Sequence, residues 1–368
     1  MKTPPRLAPI ALGLALLVAA EAGAQEVPFQ LRRQFHRPFI DTAVFNALYL
    51  GVYTDDSDSA RQKESDNGFA PSFYYGNREF RDGEADLDFL LSPSPLYVSY
   101  REKRLGETPW TGRLEVFGDA NLYREGFYRA GGAYQPTFQY EGFSANFAPS
   151  IGRPLLAGTG LERESIEIPR VGRLGLEKLY LEATPAARMY WFGHGRNKKR
   201  GETIPEPFAA FAPRLTLEYD AMKWDLCDLV QERGVFFQTW VEYEANDSDR
   251  TFGGPAFKRK LDGDFWRAGG FAEAWGELWR LRGSYLNLGQ SVEWELKQRG
   301  DRVRAYNVRG PIGHNWAKWR AYLGLKDILL PANFVRPYFE VLWTEGAEGP
   351  TLAAGSSDWR AFVGAGVH

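Results

Sequence analysis

Cys227 is the chain's single cysteine. One thiol excludes an intramolecular disulfide and any metal site built from several cysteines. Histidine is almost as scarce: His36, His194, His314 and His368 are the full set. None pairs with another at a metal-ligand spacing, so neither metal nor cofactor is expected. Charge of one sign is also lacking. With 45 Lys and Arg against 47 Asp and Glu, the formal net charge is −2. That leaves no electrostatic reason to expect a nucleic-acid partner. After the first 24 residues, no apolar run approaches the ~20 residues that a spanning helix requires. Any passage through a membrane must therefore use a closed barrel of strands.

What is present begins with the amino terminus. Lys2 and Arg6 precede the apolar run 7–20, and Ala22, Gly23 and Ala24 have the small-x-small form of a signal-peptidase site. Residues 1–24 read as a secretory signal cleaved near Ala24. A short segment, 25–41, follows, and the remainder, 42–368, shows no domain boundary. Aromatics make up 15 % of the chain, with 12 Trp, 18 Tyr and 25 Phe, although the chain is polar on average. An exported, aromatic-rich and polar chain fits two classes: a soluble all-β domain, or an outer-membrane barrel with a polar lumen and aromatic girdles.

The dominant pattern is period-2 alternation, which belongs to strands and not to helices. Over 214–220, Leu215, Leu217 and Tyr219 oppose Arg214, Thr216, Glu218 and Asp220. Over 316–325, Ala317, Trp319, Ala321 and Leu323 oppose Trp316, Lys318, Arg320 and Tyr322. Over 334–343, Val335, Pro337, Phe339 and Val341 oppose Arg336, Tyr338 and Glu340. Trp359 to Val367 alternates in the same way. Further strands are expected near Thr42, Gly68, Ala85, Gly112, Tyr128, Phe143, Leu174, Ala187, Val235, Phe265, Leu281 and Val292, with Arg302 to Val308 a weaker candidate. The total is roughly sixteen, an even number as bacterial barrels have. Several are about ten residues long, the length a transmembrane strand needs. Trp191, Trp240, Trp343 and Trp359 read as girdle residues at strand ends. The fold expected is all-β, a transmembrane antiparallel β-barrel of roughly 16 strands. Alternation alone also suits a secreted sandwich with its charges in solvent.

Three stretches carry a family resemblance. The first is YWFGHGRN, with Gly193, Gly195 and Asn197. The second is 215–244, where Tyr219 and Asp220 end one strand and Gly234 opens the next. The third is YNVRGPIGHNW, with Val308, Arg309 and Gly310. In order and spacing these resemble the barrel of the Omp85 superfamily, the bacterial surface antigens. The chain departs from that pattern at Arg196, at Pro311 where an aromatic is usual, and at His368 where a terminal aromatic is usual. The resemblance implies a bacterial outer-membrane location and a pore or a translocation and assembly scaffold, without the family's periplasmic modules. It implies outer-membrane lipid as surroundings and the barrel-assembly machinery as a partner in insertion. It further implies that Arg309 and Gly310 tip a loop folded into the lumen, with Glu340 or Glu293 as the acidic wall partner of Arg309.

Catalysis is the competing thought. His194 with Asn197, and His314 with Asn315, resemble parts of an outer-membrane lipid hydrolase. A base needs a nucleophile within hydrogen-bond reach, and no serine lies near His194 in sequence. Gly193 and Gly195 have a backbone explanation, since glycine in a strand marks a bend or a close approach. Gly364 and Gly366 are strand glycines, because no helix follows to make a phosphate loop. The expected function is non-enzymatic. A lipid-modifying hydrolase and a secreted or periplasmic binding protein are the alternatives.

Overall fold

A computed structural model describes residues 44–55, 66–91, 96–120, 127–128, 134–135, 140–194, 203, 206–225, 230–247, 251–254, 257–260, 264–281, 283–297, 315–328, 334–349 and 352–367. Among these the chain is all-β. The only helical turns are the 3₁₀ segments Leu161–Arg163 and Leu176–Lys178. No described helix is long and apolar enough to cross a membrane.

The main strands are β1 (Val44–Asp55), β2 (Asp66–Phe80), β3 (Ala85–Leu91), β4 (Leu96–Glu102), β5 (Thr111–Ala120), β6 (Tyr140–Pro154), β7 (Leu179–His194), β8 (Phe208–Asp220), β9 (Val230–Asn246), β10 (Asp264–Leu281), β11 (Ser284–Lys297), β12 (Asn315–Lys326), β13 (Phe334–Gly349) and β14 (Leu352–Val367). Each pairs antiparallel with the next in chain order. With the short strand Lys223–Asp225 on the side of β9, they form a 15-stranded sheet. Among the described residues no pairing joins β14 to β1.

Fourteen main strands stand where roughly sixteen were expected, with four differences. Ala187 does not start a strand but lies inside β7. Leu281 and Val292 do not start separate strands. Leu281 ends β10, and Val292 lies inside β11, across a turn at Gly283 with φ +100. Near Tyr128 and Leu174 there are only ribbons, Phe127–Tyr128 with Tyr134–Gln135 and Ser165–Ile168 with Gly172–Gly175. β4 was not anticipated. Its seven residues are short for the length criterion, although Leu96, Val98 and Tyr100 alternate with Tyr97, Ser99 and Arg101. The segment 302–308 lies outside the described residues.

The two ends of the sheet differ. At one end five connections are long, 56–65, 121–139, 195–207, 247–263 and 298–314, and two are short, 92–95 and 350–351. At the other, which also holds the start of β1 and the end of β14, the connections 81–84, 103–110, 221–229, 282–283 and 327–333 are each shorter than ten residues. The exception there is 155–178, between β6 and β7. It reaches past β8 to contact β9, and the carbonyl of Arg170 accepts the backbone N–H of Glu277 on β10 (3.1 Å). Glu277 sits where the β10–β11 register slips, so the irregularity releases an N–H for that contact.

Alternation along the strands resolves into an inner and an outer face of inverted polarity. On β9, Glu242 is 0 % exposed while its neighbour Val241 is 41 % exposed. Asp86, Arg101, Glu115, Glu182, Arg188, Asp220, Arg267, Glu273, Lys318 and Glu340 are all buried. Phe147, Ile151, Met189, Phe211, Leu215, Trp266, Leu288 and Val363 are exposed, Val363 at 83 %. A globular sandwich has the opposite arrangement, with apolar chains inside and charges in water.

The tryptophans divide between the faces. Trp191, Trp266, Trp319 and Trp359 are exposed. Trp343 faces Trp359 across the β13–β14 pair, ring centroids 6.2 Å apart. Trp240 is not a girdle residue. It lies mid-strand on the charged face, because the even positions of β9 point inward with Glu242 and Glu244. Its ring lies over Gly269 of β10, where an added Cβ would stand 2.4 Å from the ring. Trp275 covers Gly289 of β11 in the same way. In each pair the missing side chain on one strand makes room for a ring from its neighbour.

Candidate functional site: the charged inner face

Glu242 is the centre of the inner face. Its carboxylate accepts two parallel hydrogen bonds from Arg188, 2.6 Å each. Arg214 donates through Nε at 2.9 Å and Nη2 at 2.7 Å. Arg267 donates through Nε at 2.6 Å. Arg188 also bonds Glu244 at 2.9 Å, and Arg267 lies 3.8 Å from Glu295. Bidentate arginine–carboxylate geometry is the strong form of the ion pair.

Register explains who meets whom. Arg214 and Arg267 stand directly opposite Glu242 on the strands either side. Arg188 comes from β7 and must cross β8 to arrive. The inward positions of β8 at that level are Ala210 and Ala212, both buried and small enough to be crossed. Trp240 completes the group. The guanidinium of Arg214 lies 4.5 Å from the centre of its ring and that of Arg267 5.4 Å, both within cation–π range.

Similar pairs continue around the sheet. Arg101 bonds Asp86 at 2.6 Å, Arg113 bonds Glu182, and Ser150 and Thr184 share a hydrogen bond of 2.9 Å. On β10 to β13 the inner face becomes aromatic. Trp275 stacks on Tyr322 at 5.4 Å, Tyr322 meets Tyr338 at 6.2 Å, and the guanidinium of Arg336 lies 5.2 Å from the Tyr322 ring centre.

The anticipated residues fall as follows. Glu340 and Glu293 both belong to the inner wall. Each already has a cation from the next strand: Arg320 bonds Glu340, and Lys318 bonds Glu293 at 3.0 Å. Arg309 and Gly310 lie outside the described residues, as do Gly195, Asn197, Cys227, His36, His314 and His368. Gly193 pairs with Glu141, and His194 closes β7 opposite Tyr140. Tyr219 and Asp220 end β8, and the Asp220 carboxylate accepts the N–H of Met222 (3.0 Å). Gly234 has φ +120, and a Cβ there would stand 2.2 Å from the carbonyl oxygen of Ala221. Only glycine fits that place.

Sequence reasoning did not find the Glu242 group. The alternation of 214–220 already placed Arg214 on the charged face. Its partners are 28 and 53 residues away along the chain, and only the register brings them together. Among the described residues no group of His, Cys, Asp and Glu is arranged to hold a metal ion. Outside the inner face, one cavity of about 460 Å³ opens beside β4 and β5, lined by Tyr100, Glu102, Arg104, Leu105, Gly112 and Leu114. No protein-family model matches the chain, and no curated protein matches it.

Proposed function

We propose that this chain is a bacterial outer-membrane β-barrel of the Omp85-like kind, with β14 closing on β1, whose polar interior serves as a pore or a translocation scaffold. The observation that carries the reading is the inverted polarity: ion-paired Glu242 at 0 % exposure beside Val241 at 41 %. Apolar chains directed outward along strand after strand suit lipid, and the charged face suits a water-accessible interior. Strands of 14 to 18 residues, such as β7, β9, β10 and β11, exceed the ~9–11 needed to cross a bilayer. On the side that holds both described ends of the sheet all connections but 155–178 are shorter than ten residues, and the five others of ten residues or more lie opposite, which suits periplasmic and extracellular sides respectively. The resemblance of the three stretches to the surface-antigen barrels supplies the finer family reading.

The burial of charge and exposure of aliphatics weigh against a secreted binding module. The hydrolase alternative rests on His194 and His314, and nothing in the described geometry adds to it. The test is cell fractionation together with electrophoresis of boiled and unboiled samples. A membrane-fraction band that shifts on heating is expected. A protein recovered wholly in periplasmic extract would overturn the reading.

A further inference from the structure

The outer face carries one charged feature that the inner network does not use. Along β4 and β5 the outward positions pair directly: Val98 with Val116, Tyr100 with Leu114, and Glu102 with Gly112. Leu96, Val98, Leu114 and Val116 are all exposed. The track is therefore apolar until it meets the connection 103–110. There Leu105 folds back over Gly112, so that a Cβ on Gly112 would lie 3.1 Å from it. The fold-back is held by Leu105 N–H to the carbonyl of Trp110 (2.8 Å) and by the Thr108 hydroxyl to the carbonyl of Leu105 (2.7 Å). The space beneath it is an open groove of about 460 Å³.

The charges at its rim are sorted. Glu102 is occupied by Arg81, whose guanidinium reaches it at 3.0 Å and the Tyr100 hydroxyl at 2.9 Å. Arg113 lines the groove but is turned to Glu182 on the other face. Arg104 lines it too and is exposed, so it is the cation positioned to meet a ligand from outside. An apolar track ending in a cationic rim matches an amphiphile with an anionic head. A Trp in the same connection, Trp110 beneath the guanidinium of Arg153 (5.3 Å), is the kind of residue that sits at headgroup level.

We propose that this groove binds one glycerophospholipid of the leaflet on the short-turn side, its phosphate on Arg104 and an acyl chain along Leu114, Val116 and Val98. The proposal rests on the membrane reading. Its test is native mass spectrometry of the purified full chain in detergent, titrated with phosphatidylethanolamine, with inorganic phosphate as competitor. Arg104→Gln removes the cation, and Gly112→Val fills the groove by placing methyl groups against Leu105. One retained lipid per chain is expected, bound on the order of tenfold more weakly by either variant, through loss of a charge-assisted contact in Arg104→Gln and loss of groove volume in Gly112→Val. Inorganic phosphate at equal concentration should not displace it. Equal retention by all three proteins, no retained lipid, or displacement by inorganic phosphate would overturn the site. Heat-modifiability, read on the same three samples, separates the two ideas. A band that still shifts while lipid retention fails removes the lipid site and leaves the barrel standing.

Discussion

Replacing Glu242 by glutamine would leave the guanidiniums of Arg188, Arg214 and Arg267 around a neutral amide. Breaking a buried ion pair on one side costs about 3–5 kcal/mol, because the remaining charge stays desolvated. Glu242→Gln should therefore lower the temperature of the heat-shift transition sharply. Glu244→Gln removes one contact to Arg188 and should do so much less. The glycines under rings make a second set. Gly269→Ala and Gly289→Ala drive a methyl into Trp240 and Trp275, with an expected cost of about 1–3 kcal/mol each. Gly276→Ala meets nothing within 4 Å and should be neutral in the same assay. At this scale the sequence showed which side chains are charged and which face they share. It could not show that Ala210 and Ala212 let Arg188 cross a strand, since that depends on stagger between strands.

Among elements, the turn from β8 to β9 and the connection 155–178 are the informative cases. Gly234→Ala must place a Cβ against the carbonyl of Ala221 at a positive φ. A cost of about 1–3 kcal/mol is expected from backbone strain alone, and pulse proteolysis should show the β8–β9 region opening first. In the connection 155–178, the carboxylate of Glu162 is held below its ordinary pKa, chiefly by its own backbone N–H, with help from the N–H of Gly160 and the Thr159 hydroxyl. A carboxyl with a lowered folded pKa contributes above its unfolded value and loses that contribution as pH falls through the folded one. Residues 159–163 should thus show lower amide protection factors, each exchange rate being divided by the intrinsic rate at its own pH, below about pH 4 than at neutrality, taking the unfolded carboxyl near 4.3. A protection factor unchanged between those pH values would argue against the cap. Long strands such as β8, β12 and β13 were legible because alternation ran for many residues. β4 escaped because it has only seven, and the Leu281 and Val292 candidates belonged to strands longer than the expected ten.

For the whole molecule, alternation established two faces but left their assignment open, because a sandwich in water and a barrel in lipid have the same period. Burial shows that the charged face is the covered one and the apolar face the exposed one, and that is a property of the folded sheet and not of any strand. Closure is the large-scale prediction. In a Cys227→Ser background, one cysteine along β1 and one along β14 should form an oxidative cross-link in a single register. No cross-link in any register would leave the sheet open-edged.

One consequence follows from the plain chain-order pairing of β1 to β14. Every neighbour in the sheet is also a neighbour in sequence, so each step of assembly closes only a short loop and loses little entropy. In the proposed closed barrel, the sole long-distance event is the meeting of the first strand with the last. Such a chain can zip up hairpin by hairpin from many starting points, and its slow step should be the final seam. Kinetically, circular permutants opened at the tight turn 281–284 should assemble about as readily as the parent, because they trade one seam for another.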